Sequence, residues 1–359
     1  MTKVRVKLGK GYDIHVGTGT LEGLGKALIE LNLTDKALVI VNTTVDKFYG
    51  EKVCRSLARA GFNVACEVIP DGEEYKTLPS AARLFDAAAE ARLDRRSPVV
   101  ALGGGVTGDL AGFVAATYMR GLPFIQVPTT LLAQVDSSIG GKVAVNHAKG
   151  KNLIGAFYQP TLVWSDLLTL KTLPYRELLT GMAENIKHAV IADRDLFGFI
   201  AAKLPSILAA EEAPLQELVT RSCQVKTNVV EQDETEQGMR AILNFGHTFG
   251  HAVENLTGYK RYRHGEAVAL GMAAASRMAC QLGILSAGDE AEIIALVARA
   301  GLPVGGTGLN PTELYSALAY DKKVIAGEIN FVLPLSIGKA EVFSGIKQED
   351  VLQAIRTIC

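Results

Sequence analysis

The sequence predicts an α/β N-terminal domain built on a parallel sheet, followed by a mainly α-helical C-terminal domain. Three observations carry that prediction. The chain has 359 residues, more than one hydrophobic core usually organises. Short apolar runs alternate with helical patterns up to about residue 170, and after Pro174 the texture changes to long helical patterns. The boundary is placed near Leu173-Pro174, giving domains 1–173 and 174–359.

The opening residues, Met1 to Leu8, alternate polar and apolar like a strand, and no apolar signal core follows, so secretion is not expected. Leu38 to Val41, Val64 to Ile69, Val99 to Leu102 and Phe124 to Val127 read as further strands, each ending in a polar or glycine-rich turn. Leu78 to Arg92 carries Leu78, Ala81, Ala82, Phe85 and Ala89 on one helical stripe. Parallel sheets bind ligands at the carboxyl ends of their strands, so the turns are expected to form one site. In the second half, helices are expected over 176–190, 213–232, 240–256 and 265–282, with no strand pattern until Ile329 to Leu333. The expected architecture there is a helical bundle.

Gly103-Gly104-Gly105-Val106-Thr107-Gly108-Asp109 follows a strand and opens a helix, the setting of a dinucleotide pyrophosphate loop. Asp71-Gly72-Glu73-Glu74-Tyr75-Lys76 offers carboxylates for ribose hydroxyls, and Thr129-Thr130 adds hydroxyls. Between Gln134 and Asn152 the chain is polar and glycine-rich. Its Lys142, Lys149 and Lys151 are interleaved with glycine and asparagine, as suits phosphate or carboxylate binding better than a solvated loop.

Three of the six histidines, His247, His251 and His264, fall in one short window. Helical spacing puts His247 and His251 one turn apart, able to share a cation or flank a substrate. His264-Gly265-Glu266 comes from a separate element. The His-Glu-x-x-His pattern of zinc proteases is missing. Glu184 has apolar neighbours Met182, Ala183 and Ile186, and would complete with His247 and His264 a two-histidine, one-carboxylate zinc site with an open position. Lys187 and His188 fall within about one turn of Glu184, and Lys226, Arg240 and Asn244 lie on helical patterns expected to face the same cleft. Tyr320-Asp321-Lys322-Lys323 reads as a solvated turn.

Lysine plus arginine number 37 against 38 aspartate plus glutamate, which excludes an electrostatic nucleic-acid binder and points to a small-molecule partner. Five scattered cysteines without a Cys-x-x-Cys pair argue against a disulfide framework and fit a reducing cytoplasm. The most apolar run, Val99 to Tyr118, is broken by glycines and Asp109, so no membrane span is expected.

Taken together, Gly103–Leu110, Arg120-Gly121, Val127–Leu132, Gln134–Lys142, Gly150-Lys151-Asn152, Asn244–His251 and His264-Gly265-Glu266 resemble 3-dehydroquinate synthase almost end to end. The resemblance implies a Rossmann-like NAD-binding domain and a helical metal- and substrate-binding domain. It also implies a shikimate-pathway lyase of aromatic amino acid biosynthesis, which turns 3-deoxy-D-arabino-heptulosonate 7-phosphate into 3-dehydroquinate and phosphate. NAD is recycled in that reaction through transient oxidation, phosphate β-elimination, re-reduction and aldol closure, and zinc, cobalt or another divalent metal is required.

Carried over by position, Glu184, His247 and His264 are the implied metal ligands. Asn42, Asp71 to Lys76, Gly105, Val106, Thr107, Gly108, Asp109, Thr129, Thr130, Lys142, Lys151 and Thr169, Leu170, Lys171 and Thr172 are the implied NAD contacts. Arg120, Asp136, Lys142, Asn152, Lys187, Lys226, Arg240, Asn244, His251 and one of Lys322 and Lys323 are implied at the substrate. Of these, Lys142, Lys187, Lys226, Arg240, Asn244 and His251 are implied in catalysis, and Arg120 in reaching the neighbouring subunit of a homodimer. Three positions depart from the commoner family pattern: Asn185 stands where valine is usual, His188 where tyrosine is, and Phe245 where leucine is. His188 is expected to support the site without ligating the metal. Related cyclases making other carbocycles, and metal-dependent polyol dehydrogenases, share parts of this pattern.

Overall fold

The computed structural model describes residues 1–319, 324–325 and 328–359. The chain divides into two compact units, Met1–Leu173 with Leu215–Thr227, and Pro174–Pro214 with Asn228–Cys359. The return of 215–227 to the first unit has no counterpart in the sequence pattern, which runs as uninterrupted helix through it.

In the first unit, seven of the described strands form one sheet in the order β1-β2-β9-β6-β5-β3-β4. They are β1 (Thr2–Val6), β2 (Tyr12–Gly17), β3 (Lys36–Asn42), β4 (Asn63–Ile69), β5 (Val99–Gly103), β6 (Phe124–Pro128) and β9 (Leu162–Asp166). Only β1 and β2 pair antiparallel; the rest are parallel. Helices α1 (Leu24–Ile29), α2 (Thr43–Val45), α3 (Glu51–Arg59), α4 (Leu78–Glu90) and α5 (Gly105–Thr117) connect them.

Strand alternation dictates the packing. Leu38, Ile40, Val99 and Ala101 point into one core with α4 and α5, while Val39, Val41, Val100 and Leu102 point into the other with α1 and α3. Both faces are covered, so these strands are apolar throughout. From β3 the chain runs outward to β4, then returns to β5 on the other side of β3. That reversal sets the topological switch point at the ends of β3 and β5, where Asn42 and the Gly103 to Gly105 turn sit.

The segment after Gln134, read as a polar, glycine-rich anion-binding stretch with no strand assigned, contains a hairpin of β7 (Lys142–His147) and β8 (Gly150–Phe157). The signal overlooked is the apolar run Val143-Ala144-Val145, whose two valines are buried in the core beside α5.

The second unit is mainly helical: α6 (Tyr175–Ala192), α7 (Arg194–Leu208), the ends of α8 (Glu212–Gln232), α9 (His247–Leu256), α10 (His264–Gln281), α11 (Ala287–Arg299), α12 (Pro311–Ala319) and α13 (Gln348–Arg356). Two short hairpins, β10 (Val324–Ile325) with β11 (Glu328–Ile329) and β12 (Phe331–Ser336) with β13 (Lys339–Phe343), complete it. The helix expected over 240–256 is instead a 3-10 turn, Met239–Asn244, then a break, then α9. Gly246 causes the break: its φ is +78°, a left-handed conformation that costs glycine nothing and other residues about 1–2 kcal/mol.

Glycine also sets how closely α6, α9 and α10 approach. A Cβ on Gly271 of α10 would lie 1.8 Å from the Gly246 carbonyl oxygen, and one on Gly265 2.4 Å from the Thr180 carbonyl oxygen of α6. Backbones therefore meet where side chains would keep them apart. The start of α10 is pinned by Glu266, which accepts the Arg263 N–H at 2.9 Å and the Arg176 guanidinium at 2.6 and 2.7 Å. Arg176, on α6, also donates to the Arg261 carbonyl at 3.0 Å.

Two expectations follow. The added methyl of Gly271→Ala must push α9 and α10 apart, and urea unfolding should show a loss of about 1–3 kcal/mol; unchanged stability would mean the helices yield freely. Burial raises the Glu266 pKa, but the Arg176 and Arg263 hydrogen bonds outweigh it and hold the pKa below its ordinary 4.5. Its contribution is therefore present above that value and lost as pH falls through the lower folded-state value. Glu266→Gln should cost about 1 kcal/mol at neutral pH, and the gap from the parent protein should close in acid. A gap independent of pH would contradict this.

Candidate active site

The second unit gathers a carboxylate and three imidazoles. Glu184, in the middle of α6, is fully buried. His247 and His264 are the first residues of α9 and α10, and their Nε2 atoms lie 3.7 and 3.8 Å from the same Glu184 Oε1. One donor atom from each of the three lies within 4.8 Å of the others. The outer nitrogens are occupied too: His247 Nδ1 is 3.2 Å from the Phe245 carbonyl and His264 Nδ1 is 3.4 Å from Glu254 Oε2.

Lys187, one turn along α6 and equally buried, forms an ion pair with Glu184. Neither Glu184 oxygen accepts a directed hydrogen bond among the described residues. A buried carboxylate is costly unless cations meet it, and Lys187 supplies one at Oε2 while both imidazoles face Oε1. Two imidazole nitrogens and one carboxylate oxygen match a catalytic zinc donor set with an open position, so these residues fit a divalent metal. For His264, burial favours the neutral ring, but the Glu254 and Glu184 carboxylates outweigh it and hold the pKa above the ordinary histidine value.

His251 stands beside the donor set, its ring centroid 5.5 Å from that of His247 and 6.3 Å from that of His264. His188 is buried one turn beyond Glu184 on α6. The 3-10 turn carries Arg240, buried and donating to the Glu234 carbonyl, and Asn244, which donates to Glu236 Oε1 at 3.0 Å. Lys322 and Lys323 lie outside the described residues.

In the first unit, polar side chains gather at the sheet's carboxyl edge. Asn42 Oδ1 caps α2 by accepting from the Thr44 and Val45 amides at 3.1 and 2.8 Å, and its Nδ2 donates to Asp71 at 3.2 Å. Gly72 turns the chain at φ +135° into the Glu73–Tyr75 turn, which brings Glu73, Glu74 and Tyr75 to the same edge. Lys76 is buried, its ammonium 2.9 Å from Asp109 Oδ2, 2.6 Å from Asn152 Oδ1 and 3.3 Å from Glu73 Oε1. Burial works against that charge, but Asp109 and Glu73 prevail and raise the Lys76 pKa. Asn146 joins by donating to Glu73 Oε1 at 2.8 Å.

Gly105 and Val106 open α5 without a side-chain cap, leaving first-turn amides available to an anion. Cβ atoms on Gly104 and Gly105 would lie 3.1 Å from Thr130 and 3.2 Å from Ser137, so the turn is tight as well as bare. Thr107 and Thr129 are buried, and Thr130 caps the next turn through the Ala133 amide at 3.1 Å.

Lys226, from α8, meets Asp136 at 2.5 Å. Lys142 and Lys151 are exposed on the β7–β8 hairpin. In the 3-10 turn after β9, the Thr169 hydroxyl is spent on the Asp166 carbonyl at 2.7 Å, Leu170 is buried and Lys171 exposed. The Thr172 hydroxyl is 2.7 Å from Tyr49. Backbone, rather than the side chains of Thr169 and Leu170, is what that turn offers a ligand.

Arg120 sits apart. It is exposed beyond the C-terminus of α5, whose 13 residues put it roughly 20 Å from the glycine turn. The sequence reading overlooked Glu254, although its spacing of three from His251 and seven from His247 marks one face of α9.

Known proteins are similar to this chain over nearly its whole length. Residues 66–180 match the family model of the 3-dehydroquinate synthase N-terminal region, and residues 181–324 that of its C-terminal region. The chain is 55% identical to the 3-dehydroquinate synthase of Pelotomaculum thermopropionicum over 98% of its own length and 96% of the relative's. Among solved structures it is similar to the 2-epi-5-epi-valiolone synthase of Streptomyces hygroscopicus with NAD+ and Zn2+ bound, at TM-score 0.88 and 29% identity, covering 97% of this chain and 96% of that one. It is also similar to a 2-deoxy-scyllo-inosose synthase complexed with carbaglucose-6-phosphate, NAD+ and Co2+, at TM-score 0.90 and 28% identity, with both chains covered in full. The chain belongs to the 3-dehydroquinate synthase family.

Proposed function

We propose that this chain is the lyase that converts 3-deoxy-D-arabino-heptulosonate 7-phosphate into 3-dehydroquinate and phosphate, using NAD and a divalent metal, zinc or cobalt. The observation that carries the reading is the Glu184, His247 and His264 donor set in a chain 55% identical to a 3-dehydroquinate synthase. When bound, NAD supplies a reversible hydride acceptor and the metal supplies Lewis acidity toward the substrate's hydroxyls.

The protein's own residues divide the remaining work. Asn42, Asp71, Glu73, Lys76 and Asp109 form the hydrogen-bonded edge that suits a dinucleotide's ribose, while the bare start of α5 suits its pyrophosphate. Lys142, Lys187, Lys226 and Arg240 supply positive charge for a substrate carrying both carboxylate and phosphate, and for the charge that develops as phosphate leaves. Asp136, Asn152 and Asn244 orient its hydroxyls, with one lysine of the 322–323 pair. His251, beside the donor set but outside it, is suited to move a proton between substrate hydroxyl and solvent. His188 supports the Glu184 helix.

We assign Arg120 to the site of a second copy in a homodimer, since it stands roughly 20 Å from its own chain's glycine turn. Cytoplasmic residence follows the cysteine pattern. No described helix is long and apolar enough to cross a membrane.

The test is direct. Zinc-loaded protein given the heptulosonate phosphate and catalytic NAD should release phosphate and form dehydroquinate in equal amounts without NADH accumulating. Neither product appearing would end the assignment. Turnover of a non-acidic sugar phosphate to a carbocycle would move it to the related cyclases, and steady NADH production from a polyol would make it a dehydrogenase.

A further inference from the structure

The two imidazoles that face Glu184 are held from behind by different groups. His247 Nδ1 meets the Phe245 backbone carbonyl at 3.2 Å. That partner is fixed by the Gly246 turn, whatever side chains surround it. His264 Nδ1 meets the carboxylate of Glu254 at 3.4 Å, a side chain only 11% exposed on α9. His264 itself begins α10 and is one-third exposed, so neither its helix nor its burial alone fixes the ring.

Imidazole has two nitrogens, and a neutral ring can present a lone pair at only one. A carboxylate behind Nδ1 demands a proton there, which leaves the lone pair on Nε2. Nε2 is the atom 3.8 Å from Glu184 Oε1. Carboxylate contact also makes the ring a stronger donor than a carbonyl contact does. Glu254 therefore does for His264 what backbone does for His247, and adds charge.

We infer that Glu254 is a positioning residue of the metal centre, holding His264 in the tautomer and orientation that present Nε2 to a divalent cation. This rests on the reading of Glu184, His247 and His264 as a metal site. The Glu254 carboxylate lies behind a one-third exposed imidazole, and the spacing of three and seven residues places Glu254 on the face of α9 that carries His251 and His247.

Zinc affinity, measured by competition with a chromophoric chelator, tests this, together with the visible spectrum of the cobalt-loaded protein. Glu254→Ala should weaken zinc binding about 10- to 100-fold and alter the cobalt spectrum. Glu254→Gln keeps an acceptor oxygen and should recover most of the affinity. Thermal unfolding of the metal-free variants separates a lost fold from a lost ligand orientation. Affinity and spectrum unchanged in a folded Glu254→Ala protein, or Glu254→Gln as weak as Glu254→Ala, would overturn the inference. The parent protein and His247→Ala serve as references: if the parent binds no zinc, or His247→Ala binds it equally well, the metal-site reading itself fails.

Discussion

The approach of three helices at glycine is the constraint on which the second unit depends. Glu184, His247 and His264 are far apart in sequence and come from α6, α9 and α10. Their donor atoms converge because the α10 backbone meets that of α9 at Gly271 and that of α6 at Gly265, where a Cβ would find carbonyl oxygens at 1.8 and 2.4 Å. Gly246 contributes differently: its left-handed turn starts α9 at His247 and places the Phe245 carbonyl behind that ring. Arg176 and Glu266 then lock the start of α10 to α6.

The charges gathered this way make little sense as stabilising contacts. Glu184 and Lys187 are both buried, and an apolar pair of similar volume would serve stability as well or better. The first unit shows the same pattern in the Glu73, Lys76, Asp109, Asn146 and Asn152 network, where a buried ammonium is surrounded by acceptors at the carboxyl edge of a parallel sheet. Such arrangements cost folding energy and return it as preorganisation, since dipoles and charges already in place need not reorient when a ligand arrives. The first unit thus places its expensive groups at the switch point of a doubly wound sheet, and the second places Glu184 and Lys187 in the middle of α6, facing the first residues of α9 and α10.

Much of this was legible in the sequence, for identifiable reasons. Four of the six parallel strands, β3, β4, β5 and β6, announced themselves as runs closed by turns; in β3 and β5 burial on both faces leaves no polar alternation to blur the signal, whereas β9 was not read although it is buried throughout. His247 and His264 were singled out by the density of histidines in one short window, and Glu184 by its apolar neighbours. The β7–β8 hairpin was not legible: Lys142, Lys149, Lys151 and Asn152 made a strand pair look like a loop, and only Val143 and Val145 betrayed it. The 3-10 turn before α9 was also concealed, because Arg240 to Asn244 continue a helical pattern that Gly246 interrupts through its conformation. Glu254 was passed over because a glutamate on a helix face is ordinary until its partner is known. Side-chain spending was invisible too, as in Thr169, whose hydroxyl is committed to the Asp166 carbonyl.

In the proposed metal centre, α6, α9 and α10 deliver one carboxylate and two imidazoles, and no more, to a single ion. X-ray absorption at the zinc edge of the loaded protein tests it most directly. The account predicts oxygen and nitrogen neighbours only, with the outer-ring scattering of two imidazoles. A third imidazole, which would bring in His251 or His188, or any sulfur neighbour, would contradict it.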